Sequence, residues 1–346
     1  MRNLAAASLL FLSAGAYADS VTLYGITDAS VEYVKGTTSA VRLADGDMSA
    51  SRFGLTGTES LSSDTKIVFR LEAGFNINNG TEFFGNNTIF GRQAYVGIKS
   101  FWGELRMGRQ FTPAFYALAR LDPFGLNASM SPFVLLAKSS AQGGEYVPYG
   151  SRFSNALEYW TPNFRGFSST IAIAPGGVAG DLRSGTGMGA NIMYDRAPFY
   201  AFYAFQSAYN AVGPTNPEAD LTLNHYIGLA YDIGPVELGA LFGVSMSRGS
   251  GTHSSKDAGI TASWKLNPQD VLMAALIKRI VSGEEERPLA VTIGWDHSIS
   301  KRTSIYVRGL AITNSPGGSD TLDNIPIASG SGDTGYSFAV GIDHRF

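Results

Sequence analysis

Arginines set among small and hydroxylated neighbours are the residues of this chain best placed to act on something passing by. Arg52 alternates with Gly54, Thr56 and Thr58, and the positions between are Phe53 and Leu55. Arg152 alternates with Ser154 and Glu158, against Phe153, Leu157 and Tyr159. Arg70, Arg106, Arg308 and Lys66 fall in similar polar sets, together with Asp28, Glu32, Glu72 and Glu158. A guanidinium stays charged at any accessible pH, so a wall of them attracts or repels charged solutes without making or breaking a bond. Bond-breaking chemistry is poorly supplied. His225, His253, His297 and His344 show no metal-type spacing between them, and there is no cysteine. No enzyme activity, metal, cofactor or nucleic-acid partner is expected.

The elements that carry these charges have a period of two. Val21, Leu23, Gly25, Thr27, Ala29, Val31 and Tyr33 alternate with Thr22, Tyr24, Ile26, Asp28, Ser30 and Glu32. Ile67, Phe69, Leu71, Ala73 and Phe75 alternate with Lys66, Val68, Arg70, Glu72 and Gly74. Val236, Leu238, Ala240, Phe242, Val244 and Met246 alternate with Glu237, Gly239, Leu241, Gly243 and Ser245. A helix cannot produce two such faces; a strand can.

Breaks rich in Gly, Pro, Asn and Asp fall near Leu61–Asp64, Ser100–Gly103, Pro162–Gly166, Asp195–Pro198, Ile233–Pro235, Asn267–Asp270 and Ser300–Arg302. Between them lie longer polar stretches at 36–50, 76–88, 110–150, 175–186, 210–220, 248–256, 283–287 and 314–334. Short and long connections alternate, which joins sixteen strands with both termini on the short-turn side. An even count, strands of about ten residues and this loop asymmetry predict a closed antiparallel transmembrane β-barrel, with the apolar set facing lipid. A soluble sandwich would use strands of about five or six residues without the asymmetry.

Composition agrees. The chain has 346 residues, 16% of them charged, with 41 glycines and 12% aromatics. Its mean hydropathy is +0.01, too low for a bundle of membrane helices. The start, MRNLAAASLLFLSAGAYADS, combines Arg2, an apolar run and Ala16-Tyr17-Ala18, and predicts a signal peptide over 1–18. Removing it takes one arginine and no acid, from 26 − 29 = −3 to 25 − 29 = −4. The mature chain, 19–346, reads as one barrel domain.

The segments SVTLYG (20–25), SRFGLTGTESL (51–61), FRLEAGFNINNG (69–80), GRQAYVGIKSFWGELRMGRQFTPAF (91–115) and the terminal VGIDHRF resemble the trimeric general porins of Gram-negative outer membranes, in the neisserial and betaproteobacterial branch. The resemblance spans the mature chain. It implies export to the outer membrane and contact with its lipid and lipopolysaccharide. It also implies a homotrimer with one pore per subunit, short periplasmic turns, long extracellular loops and a third loop folded into the pore. That loop would be 110–150, whose length needs a reason and whose apolar segments FTPAFYALARL and SPFVLLA suit packing on a wall. Parity alone sends Arg92 outward with Ala94, Val96 and Ile98; the family pattern places it inward, beside Arg52 and Arg152. The same pattern opposes a basic wall with loop acids, here Asp122 first and Glu145 second. Phe338, Val340, Ile342 and the terminal Phe346 resemble the signal read by the outer-membrane assembly machinery, with His344 a departure. Glu82 and Arg109, the latter sharing parity with Leu105 and Met107, are expected to pair across the trimer interface.

The function so implied is a water-filled channel for passive diffusion of ions and small hydrophilic solutes, leaning towards anions. The alternative is a substrate-selective channel for sugars or organic acids, which would want an aromatic ladder along the lumen. Tyr24, Tyr226 and Tyr306 are its candidates.

Overall fold

The computed structural model describes residues 20–84, 88–126, 129–133, 150–209, 221–248, 254–283, 285–316, 318 and 331–346. The expected signal peptide and Glu145 lie outside the described residues. The strands are β1 (Ser20–Lys35), β2 (Ser39–Asp45), β3 (Arg52–Ser60), β4 (Lys66–Gly74), β5 (Gln93–Ser100), β6 (Gly103–Phe111), β7 (Arg152–Trp160), β8 (Phe167–Ala174) and β9 (Gly187–Arg196). They continue as β10 (Phe199–Tyr209), β11 (Leu221–Ile233), β12 (Val236–Arg248), β13 (Ser255–Lys265), β14 (Asp270–Val281), β15 (Leu289–Ser298), β16 (Thr303–Thr313) and β17 (Thr334–Arg345). All pairings are antiparallel between neighbours, and β1 with β17 closes the ring.

Seventeen strand segments fill sixteen barrel positions. The lower half of β1 pairs with β3 and its upper half with β2, so β2 and β3 are one barrel strand interrupted at 46–51. The stretch expected as a first long loop, 36–50, is therefore a tight turn, a strand and this interruption. The last residue completes the ring: Gly25 and Phe346 exchange two backbone hydrogen bonds, of 3.0 and 3.1 Å. The Phe346 ring occupies the space where any Cβ on residue 25 would sit, 2.2 Å from its ideal position, so only glycine fits there.

The burial pattern is that of a soluble protein turned inside out. Leu229, Ile260 and Ile293 are 56%, 60% and 62% exposed, while Asp257, Thr292 and Asn224 are buried. Outside a bulge in β7, every second residue of the strands faces outward, and the outward set is mainly the apolar one, as a lipid belt requires. Phe167, Tyr194, Phe199, Tyr231 and Trp264 lie at the short-turn ends of their strands, the level of an interfacial aromatic girdle. Among the described residues no helix is long and apolar enough to cross a membrane.

The hydrophobic core lies within the barrel. After β6 the chain turns inward and forms a helix, α1 (Pro113–Leu121), inside the loop expected to enter the pore. Thr112 caps it by accepting from the Phe115 N–H at 3.3 Å, and Pro113 occupies the first turn, where no N–H is needed. Nine residues do not hold a helix in isolation. Burying Phe115, Leu118 and Leu121, at about 1.5–3 kcal/mol each, does. They pack with Tyr200, Phe202, Tyr226 and Leu241 of the inner wall. The Tyr200 hydroxyl and the Asn191 amide donate to carbonyls of Ala117 and Pro113, both at 2.7 Å. Gly228 and Gly239 leave the room that Leu121 fills. Past the helix, the Met130 carbonyl accepts from Thr292 at 2.7 Å on the opposite side of the ring.

Candidate functional site

Glu72 on β4 is the centre of the basic wall. Its two oxygens accept from Arg92 Nε and from the Tyr24 hydroxyl, each at 2.8 Å. Arg92 and Glu72 are 2% and 4% exposed, a buried ion pair. Arg52 on β3 lies within electrostatic reach of both. Arg92 stands just before β5, outside its alternation, which is why parity misplaced it: its side chain folds back over Gly74 towards Glu72.

Arg152 joins the group by a different route from the one its parity suggests. Asn155 takes a left-handed conformation, φ 55°, and Ser154 and Asn155 are both exposed between buried Phe153 and Ala156. This bulge shifts the alternation, so Arg152 and Glu158 are not on one continuous face. Arg152 Nε donates to the Arg92 carbonyl at 2.9 Å. Its guanidinium lies 4.1 Å from the Phe111 ring, which also carries Arg92 at 5.9 Å. The aromatic face spreads the cations and holds them close, at a site where each would otherwise repel the next.

The other basic residues of the wall divide in two. Arg70 lies over the Tyr24 ring at 5.6 Å. Arg106 is held between Tyr95 and Trp160, 4.8 and 4.4 Å away, and donates to Glu104 at 2.6 Å. Lys66, Lys99 and Glu104 help line a pocket of about 460 Å³ towards the short-turn end. Arg308 is a correction: it pairs with Asp296 at 2.5 Å, 2% exposed, beneath the Phe124 ring of the inward loop, so its charge is spent within the wall. A second buried pair, Arg279–Asp257 at 3.0 Å, was not singled out in the sequence. Asp257 alternates with Gly259, Thr261 and Ser263, but Arg279 stands in the apolar set Met273, Ala275 and Ile277, so alternation marks only one member of the pair.

Asp122 is the second correction. It ends α1 and turns away from the pore: its carboxylate accepts from the Phe124 and Leu126 N–H groups at 3.0 and 2.9 Å and from Ser131 Oγ at 2.5 Å. It is 3% exposed. Burial pushes its pKa above the ordinary carboxylate value, and these three donors pull part of the way back. The acid knots the loop and does not oppose the arginines. The loop's Arg120 reaches the short-turn ends of β9 and β12 and pairs with Asp195 and Glu237, at 3.2 and 3.1 Å.

The described residues of the stretch between β4 and β5 contact the rim of their own barrel: the Ile77 N–H donates to Asp45 and the Asn78 amide to the Leu43 carbonyl, at 3.2 and 3.4 Å. Arg109 donates to the Gly91 carbonyl and to Ser154 Oγ, at 2.6 and 2.7 Å. Glu82 accepts from the Thr88 N–H at 3.1 Å. Tyr226 and Tyr306 are 1% and 0% exposed, and Tyr306 donates to Asp28 at 2.6 Å, so the candidate aromatic ladder is absorbed into the wall.

A family model described as Gram-negative porin matches residues 5–316. Outer membrane porin protein 32 of Delftia acidovorans is 29% identical over 100% of this chain and 99% of its own length. A Bordetella pertussis outer membrane porin protein is 26% identical, covering 89% and 93%. Among solved structures, the anion-selective porin from Comamonas acidovorans superposes with a TM-score of 0.85 at 25% identity, covering 94% of this chain and 99% of that one. With a family model over nine-tenths of its length, on a closed barrel whose charges line the inside, the chain belongs to the Gram-negative porin family of the outer membrane.

Proposed function

We propose that the barrel is a water-filled channel for passive diffusion of ions and small hydrophilic solutes, and that it favours anions. The observation that carries this reading is the gathering of Arg52 and Arg92 around one carboxylate, Glu72, with Arg152 joined to Arg92 through its carbonyl and the shared Phe111 ring, while the loop acid Asp122 is locked away. The mature chain is net negative, but charges at the rims are screened within about 8 Å at physiological salt, and a narrow low-dielectric wall focuses the local field. The anion-selective neighbour from Comamonas supports the same sign. Reversal potentials in asymmetric salt test it. The wild type should read anion-selective, and Arg52→Gln with Arg152→Gln should move the potential towards zero. A wild-type potential of cation sign would overturn the proposal.

Assembly into trimers belongs to the same reading. Arg109 is paired with Ala94 on the outward parity of β5 and β6, and Glu82 Oε1 is buried with no hydrogen-bond donor among the described residues. A neighbour's Arg109 could supply that donor in competition with Gly91 and Ser154, for about 0–1 kcal/mol per pair. Glu82→Arg should lower the temperature at which trimers dissociate on a gel, and Arg109→Glu added to it should recover part. No recovery would remove the pair from the interface. The outward row Phe338, Val340, Ile342 and Phe346, each about half exposed, is proposed as the assembly signal.

A further inference from the structure

The inward helix and the basic wall meet at one aromatic stack. Phe111 ends β6 directly opposite Arg152, the first residue of β7, so ring and guanidinium leave the wall from paired positions. The Arg152 guanidinium lies 4.1 Å from the centre of that ring, close enough to cover one of its faces. The Phe115 ring covers a face as well: it is nearly parallel to Phe111, at 11°, with its centre 4.0 Å away. Two groups at such distances cannot share one face, so the order is Arg152, Phe111, Phe115. Tyr116 shuts the rings in from the side, edge-on to both at 6.0 Å.

Phe115 belongs to α1 and not to the wall. The start of the helix sets its place, because its N–H is the one that donates to the capping Thr112 hydroxyl. It is 6% exposed, in the same cluster as Leu118 and Leu121. Among the described residues no cation lies over the Phe115 ring itself.

What the second ring supplies is position. A guanidinium over an aromatic face is attracted by the negative face of the ring, and the attraction lasts only while that face stays beneath it. Phe111 is a single side chain at the end of a strand, and a parallel ring close-packed on its back fixes its orientation. With the face so held, Arg152 Nε donates to the Arg92 carbonyl at 2.9 Å and Nη1 to Ser151 Oγ at 3.0 Å. The Phe84 ring lies 5.1 Å from the same guanidinium. Leucine at 115 would keep the apolar character and lose the flat surface.

We propose that Phe115 is a positioning residue for ion preference: through the Phe111 ring, the helix of the inward loop fixes where Arg152 stands. The loop then contributes to selectivity without presenting a charge. This rests on the anion-favouring reading above, which the wild-type reversal potential tests by itself.

The experiment pairs that potential with the NMR signal of the Arg152 guanidinium in the detergent-solubilised barrel, assigned by its loss in R152Q. In the wild type the ring should shift this signal upfield of the ordinary arginine range. F115L should return it part of the way. F115L should also lower the chloride-to-potassium permeability ratio about twofold, the scale of one weak cation–ring contact, and no further than R152Q does. F115Y, which keeps the ring, should match the wild type in both readouts. F115L added to F111L should change neither readout further, because the two rings act in series. L118A, which loosens the same helix and removes no ring, should lower the unfolding midpoint and leave both readouts at wild-type values. An unshifted wild-type signal would overturn the proposal. So would an F115L potential equal to the wild type, an F115L effect that persists in F111L, or an L118A effect as large as that of F115L. A wild-type potential of cation sign with the upfield signal present would remove the anion-favouring reading and keep the stack, so the two failures are told apart.

Discussion

Arg92 Nε and Glu72 Oε1 meet at 2.8 Å inside the barrel wall, both nearly shut off from solvent. A buried ion pair is a poor source of stability, but removing one partner strands the other at a cost of about 3–5 kcal/mol. Glu72→Gln should therefore do two things at once. It should lower the midpoint of barrel unfolding, and it should raise anion preference in a reversal-potential measurement, since Arg52 and Arg92 lose their shared counter-charge. A variant that unfolds earlier with unchanged selectivity would place the pair outside the conducting path.

Asp122 should behave as the opposite case. Asp122→Asn removes one acceptor oxygen from a buried turn that uses both, so it should loosen the loop by about 1–3 kcal/mol. Its effect on the reversal potential should be within error, because the carboxylate does not face the arginines. A clear rise in anion preference would return Asp122 to the pore.

The same residue sets a pH dependence. Its pKa is raised in the folded state, so above that value the fold carries the cost of a buried charge. As pH falls through the folded pKa towards the unfolded value of about 3.9, the folded state takes up a proton and that cost is relieved. The asparagine variant cannot titrate here. As pH is lowered from neutral towards that unfolded value, the wild type should gain stability relative to Asp122→Asn, read as a change in the difference of their urea midpoints. A difference that stays constant across that range would show that the group does not titrate there.

The strand interruption at 46–51 makes a further expectation concrete. Ser129 in the inward loop donates from Oγ to Asp47 at 2.5 Å and from its N–H to the Gly46 carbonyl at 3.0 Å. Ser129→Ala leaves the second bond and deletes the first, worth about 1 kcal/mol or somewhat more to a charged acceptor. Single-channel traces should show more open-state noise at nearly unchanged mean conductance. Traces as quiet as the wild type would mean that the loop is held elsewhere.

Lipid-face and lumen positions should differ in their tolerance of charge. Phe242 is 48% exposed on the outward set at the middle of β12, and Arg there should cost about 2–4 kcal/mol near mid-membrane. Thr58→Arg, into the pocket lined by Lys66 and Glu104, should assemble normally. Comparable folded yields of the two variants would reverse the faces. Ser245, though inward, is fully buried and would be a poor control.

Period-two reading identified the wall and its direction because a strand enforces alternation at every residue, and both Leu238 and Arg70 obey it. It failed where the chain leaves that rule. Arg92 stands one residue outside β5, Arg152 lies beyond a bulge at Asn155, and Asp122 ends a helix whose 3.6 period began at Pro113. The helix had a local signature in Thr112-Pro113 followed by apolar Phe115, Leu118 and Leu121. The rim contacts of Ile77 and Asn78 had none, since they join a backbone N–H to the Asp45 carboxylate and one side-chain amide to the Leu43 carbonyl, which no alternation announces.

The two hydrogen bonds between Gly25 and Phe346 join the sixth residue of β1 to the strand edge beyond β17. The seam of the cylinder is thus the least local pairing in the sheet, and its loop-closure entropy falls on the strand that docks there. Until it docks, β1 has one vacant edge, and the polypeptide is an open sheet with apolar rows on one side. Gly25→Val, for which the Phe346 ring leaves no room, should therefore slow barrel closure more than an equally bulky change on an outward position of an interior strand.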